Sequence, residues 1–156
     1  MNKKQIENKL KKEFENLLHP LDFKEQEDFE FLRKSDFFID RVGGNLRRIG
    51  TKFYMQYTIL RRFDDIESNW LEYLNYLGLG NQEWDTFWTL AFSIYSIKPE
   101  LKQNPKFHRY GYILEPSEKA INNYIEIAKK QFSDIILPFL SRYSNIIELN
   151  NLFNIP

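Results

Sequence analysis

The chain has 156 residues, 22 basic and 22 acidic side chains, and no cysteine. That length suits one domain, residues 1–156, with a core of its own, and the missing thiols exclude disulfides, thiolate metal sites and cysteine nucleophiles. Zero net charge argues against a protein that holds nucleic acid chiefly through its phosphates.

Residues 2–18 carry Ile6, Leu10, Phe14, Leu17 and Leu18 at helical spacing, which predicts an amphipathic helix. Pro20 ends it, because the residue before proline avoids the helical region. From Leu21 onward the period falls to two. Short strands are expected at 22–24, 28–33, 37–42 and 46–49, with Gly43-Gly44-Asn45 as a turn. The clearest strand is 52–63. Phe53, Met55, Tyr57, Ile59 and Phe63 share one parity, and Lys52, Gln56, Thr58 and Arg62 the other, so one face is buried and one is wet.

Residues 64–77 predict a helix with Ile66, Trp70, Tyr73, Leu74 and Leu77 as its apolar stripe. Asp64 stands as a cap with Glu67 as its capping-box partner, and Gly78 follows at the C′ position. Residues 86–97 alternate as a strand does, although their apolar density also suits a buried helix. One strand is expected over 107–114. A long helix opens at Pro116-Ser117-Glu118, with Ile121, Tyr124, Ile125, Ala128, Phe132, Ile135 and Ile136 on its buried side and a kink at Pro138. A short terminal helix over 146–153 completes the chain. The fold class is α+β, a mostly antiparallel sheet of about five or six strands with the N-terminal and C-terminal helices packed on one face.

No run approaches the roughly 18 apolar residues of a membrane span. The charged opening residues lack the apolar stretch of an export signal. The expectation is therefore a soluble, cytoplasmic protein. Isoleucine, lysine and asparagine are common while valine occurs once, at Val42, a skew that points to an AT-rich, commonly bacterial genome.

The parts of common catalytic sites are missing. His19 and His108 are the two histidines, and neither belongs to an HExxH or His-x-His pair, so no metal site is expected. There is no Gly-x-Ser-x-Gly elbow and no glycine-rich loop between a strand and a helix. No cofactor is implied. A hydrolase would require His108 and two carboxylates to converge in one pocket. The expectation is a protein that is not an enzyme.

Charge is sorted along the chain. Residues 41–63 hold Arg41, Arg47, Arg48, Lys52, Arg61 and Arg62 and no acid; residues 64–85 hold Asp64, Asp65, Glu67, Glu72, Glu83 and Asp85 and no base. Local compensation between the blocks is one reading, but exposed pairs contribute only about 0–1 kcal/mol each. The other reading is recognition, since complementary charge raises on-rate and selectivity. Asp65, Glu72, Tyr76, Glu83 and Trp84 then form an acidic, aromatic surface for a basic protein partner. As an alternative, Arg47, Arg61 and Arg62 grip an anion, a nucleotide or a single-stranded nucleic acid on the open sheet face, with Tyr54 as a stacking platform.

Leu21-Asp22-Phe23-Lys24, Phe29-Glu30-Phe31 and Ile135-Ile136-Leu137-Pro138-Phe139-Leu140 give the chain a layout that resembles small bacterial domains of unknown function. Those domains run helix, antiparallel strands and a C-terminal helix with an internal proline, usually with glycine where Asp22 stands here. The resemblance implies an α+β fold without an established activity. Some comparable domains are immunity or accessory proteins, which favours protein binding.

Overall fold

Asn2 opens the first helix, Lys3–Leu18 (α1). Its side chain accepts a hydrogen bond from the Gln5 backbone N–H, and the Gln5 side chain accepts one from the Asn2 N–H, both at 2.9 Å. The structure, a computed structural model, describes residues 1–26, 29–78 and 89–145, without the side chains of Trp70 and Leu74. Ile6, Leu10, Phe14 and Leu18 of α1 are fully buried. Each contributes about 1.5–3 kcal/mol, which outweighs the ~1 kcal/mol of the cap. A 3₁₀ turn, His19–Leu21, follows, and Asp22 closes it at φ 65°. Aspartate tolerates this left-handed region better than most residues, though glycine suits it best.

The strands follow as Lys24–Glu25 (β1), Glu30–Lys34 (β2), Ile39–Ile49 (β3) and Lys52–Arg62 (β4), all antiparallel. β3 and β4 pair along their full length, from Ile39↔Arg62 to Ile49↔Lys52. The expected turn at Gly43-Gly44-Asn45 does not exist: β3 runs straight through it. The chain turns instead at Gly50, at φ 60°. Gly44 serves packing, because a Cβ there would lie 2.6 Å from the Phe29 ring.

After β4 come the helix Asp64–Tyr76 (α2), the strand Leu90–Phe92 (β5) and the single-turn helix Ile94–Ile97 (α3). Residues 86–97 are thus part strand and part helix, with 86–88 outside the described residues. A 3₁₀ turn, Pro99–Gln103, leads to Phe107–His108 (β6) and Gly111–Leu114 (β7). The single strand expected over 107–114 is therefore a hairpin, turning at Arg109-Tyr110. Among the described residues the sheet has seven strands in the order β1-β2-β3-β4-β7-β6, and β5 also pairs with β4.

The helix Glu118–Gln131 (α4) is capped by Ser117, whose side chain accepts from the Ala120 N–H. The path widens into a π segment, Phe132–Ile136, before Leu137–Arg142 (α5). Pro138 explains the widening. Its ring clashes with the carbonyl four residues back and it has no N–H to donate, so the Leu137 N–H reaches back to the Phe132 carbonyl instead. The helix expected at 146–153 lies outside the described residues.

α1 and α4 pack together over one sheet face. Phe53, Met55, Tyr57, Ile59 and Arg61 of β4 point into this core, opposite Asp40, Val42, Gly44 and Leu46 of β3. Phe14 sits at its centre, with ring centroids 5.2 Å from Phe29, 5.8 Å from Tyr57 and 6.3 Å from Phe132. Among the described residues no helix is long and apolar enough to cross a membrane.

Candidate functional site

α2 begins directly after β4, with Asp64, Asp65 and Glu67 in its first turn, where the positive end of the helix dipole favours acids. The expected capping box does not form. Phe63 occupies the cap position without a side-chain bond, and Glu67 accepts from the Thr89 hydroxyl at 2.7 Å. The Thr89 hydroxyl in turn accepts from the Phe63 N–H at 3.1 Å, tying the helix start to the segment before β5. Gly78 ends the helix at φ 72°, as its position predicts.

The apolar stripe expected on α2 is not fully buried: Tyr73 is 51% exposed and Leu77 47%. Tyr76 is 85% exposed. Asp65, Glu72 and Tyr76 stand at i, i+7 and i+11, which places them on one side of the helix. Tyr73 and Leu77 flank that side. Asp65 and Glu72 are exposed and form no ion pair among the described residues. Glu83 and Trp84, the other two members of the expected acidic surface, lie outside the described residues. Among the described residues an ion pair joins the two charge blocks, Arg62 Nε to Asp64 Oδ1 at 2.8 Å.

The alternative basic face loses its central member. Arg61 is 1% exposed and points into the core, on the opposite side of the sheet from Arg47 and Arg62. Its Nε and Nη2 donate to Asp40 Oδ1 and Oδ2 at 2.6 and 2.8 Å. Its Nη1 donates to the carbonyls of Leu140 and Tyr143 at 2.5 and 2.8 Å, and its guanidinium lies 3.7 Å from the Phe38 ring centre. Arg33 adds a second donor to Asp40 at 2.6 Å. The parity of β4 accounts for this, since residue 61 alternates in step with Tyr57, Ile59 and Phe63.

Arg47 and Arg62 do share the outer face, but roughly 26 Å of strand separates Tyr54, the partner of Arg47, from Arg62. Tyr54 offers no open stacking platform. It is 8% exposed, and its ring meets those of His108 at 5.5 Å and Tyr110 at 5.8 Å.

Beneath the sheet, the Tyr57 hydroxyl donates to Gln131 Oε1 at 2.6 Å. Burial pushes the phenols of Tyr57 and Tyr124 well above their ordinary range, and neighbouring tyrosines push the same way. His108 borders a cavity of about 480 Å³, and among the described residues that line it there is no carboxylate. Among the described residues no three His, Asp or Glu side chains gather as metal ligands. Lys102 and Arg109 also line this cavity, and sequence reasoning missed both. They come from separate turns, and no local pattern connects them. Comparison with family models, with curated proteins and with solved structures found no match.

Proposed function

We propose that the protein is a non-enzymatic, cytoplasmic bacterial interaction domain, immunity-like or regulatory in kind, which presents α2 to a basic protein partner. The observation that carries this reading is the exposed face of Asp65, Glu72 and Tyr76, with both carboxylates free of ion pairs among the described residues. Structural charge in this molecule is handled differently: Asp40 and Arg61 are buried and mutually satisfied. Tyrosine combines large contact area with a polar tip and is enriched at interfaces. Acids beside it add on-rate and selectivity for a basic surface.

The test is recovery of partners from the native host with the wild type, with D65K/E72K and with R47E. Reversal at Asp65 and Glu72 is expected to weaken capture of basic partners at least about tenfold, with capture falling as salt rises. Reversal at Arg47, on the outer sheet face, leaves capture unchanged. Equal recovery by D65K/E72K and the wild type rejects α2 as the surface.

A further inference from the structure

β4 shares its second edge between two strands. β7 pairs with Phe53–Met55 and β5 with Ile59–Arg61, so Gln56, Tyr57 and Thr58 lie in the gap between them. The chain crosses from β5 to β6 through α3 and the 3₁₀ turn Pro99–Gln103, and the cavity of about 480 Å³ opens in this fork. That volume falls within the range of small-molecule sites, roughly 300–1,000 Å³.

Three cationic or basic side chains border it: Lys102 from the 3₁₀ turn, His108 at the end of β6 and Arg109 in the hairpin turn. Lys102 and Arg109 are exposed and take part in no ion pair among the described residues. The His108 ring lies tilted against Tyr54 at 5.5 Å and Tyr110 at 5.1 Å, at the rim of the cavity. The Arg109 guanidinium lies 4.7 Å from the Tyr110 ring centre. Gln56 supplies an amide donor, and the Ser93 and Ser96 hydroxyls, 3.3 Å apart, share one hydrogen bond and leave one O–H for a ligand. The remaining wall is aromatic, from Tyr95 and Phe107, whose rings meet edge to face at 5.3 Å.

We infer that this fork binds a small ligand carrying a phosphate and an aromatic ring, of nucleoside monophosphate type. Unpaired cations beside hydroxyl and amide donors match a phosphate. The half-buried faces of Tyr95 and Phe107 match a planar ring. The Tyr95 phenol is protonated at neutral pH and able to donate, and burial raises it further. The site stands apart from α2 and shares none of its residues.

The test is calorimetric titration at low ionic strength with AMP, adenosine and inorganic phosphate, on the wild type, K102E/R109E and R47E. All three reversed charges are exposed, and circular dichroism confirms that each variant is folded. AMP is expected to bind the wild type, with adenosine and inorganic phosphate each weaker by about tenfold or more. K102E/R109E is expected to lose AMP binding while R47E keeps it. No binding of AMP overturns the proposal, as does equal loss in R47E, which marks general electrostatics. Adenosine binding as tightly as AMP removes the phosphate role, and phosphate binding as tightly as AMP removes the ring's.

Discussion

Replacing Asp40 by Asn removes a carboxylate that meets the Arg61 guanidinium in the core, where the two side chains are 0% and 1% exposed. Arg61 keeps its bonds to the Leu140 and Tyr143 carbonyls but loses its countercharge. Two unit charges about 4 Å apart interact by roughly 4 kcal/mol at an effective dielectric of about 20. Breaking one partner of a buried pair typically destabilises by about 3–5 kcal/mol. Domain stabilities run to only about 5–15 kcal/mol, so D40N is expected to unfold at much lower urea. R61M leaves Asp40 with Arg33 at 2.6 Å, yet strips a donor from two carbonyls, at about 1–3 kcal/mol each. The double variant D40N/R61M leaves no buried guanidinium unpaired. It is expected to fall short of the summed single losses by about 2 kcal/mol or more. Urea unfolding followed by circular dichroism measures all three. Additivity within about 0.5 kcal/mol would refute the claim that Arg61 is a structural partner of Asp40.

Two further expectations test the packing. G44A is expected to lose about 1–3 kcal/mol, because its Cβ would meet the Phe29 ring at 2.6–2.8 Å; G43A, with no atom within 4 Å of its Cβ, stays level or gains up to about 1 kcal/mol. Thermal unfolding separates the pair, and equal losses would contradict the expected ring contact. Tyr57 bears on pH. Its phenol titrates near pH 10 when unfolded and higher when folded, because of burial first and Tyr95 second. Above pH 10 the unfolded state binds fewer protons, so the stability from this group is whole below that pH and drains as pH rises. Y57F is expected to lose about 1–3 kcal/mol at neutral pH by leaving Gln131 Oε1 without its donor. Its deficit then shrinks by about 1.4 kcal/mol per pH unit above pH 10; a constant deficit contradicts the burial.

The elements that sequence made legible are those governed by local rules. The 3.6-residue repeat of α1 lies within adjacent turns. The period-two face of β4 needs only its own residues, and the same parity, applied strictly, already places Arg61 inside. The misreadings arise where a distant residue decides. Gly43-Gly44 resembles a turn, yet Gly44 is small because the Phe29 ring lies over it. The hairpin at Arg109-Tyr110 lacks the Asn-Gly signature of tight turns. It is fixed instead by Gly111 at φ 117°, where a Cβ would lie 2.4 Å from the Met55 carbonyl oxygen. Tyr73 matched an apolar stripe by spacing, but its exposure depends on what packs against α2. The fork holding Lys102, His108 and Arg109 exists only because two short strands divide one edge of β4.

The native chain has no cysteine, so single reporters at Tyr76→Cys and Arg47→Cys can be labelled with maleimide without background. With a captured basic partner bound, labelling at position 76 is expected to slow strongly while position 47 keeps its free rate. Protection at 47 with unchanged labelling at 76 would move the interface from α2 to the outer face of the sheet.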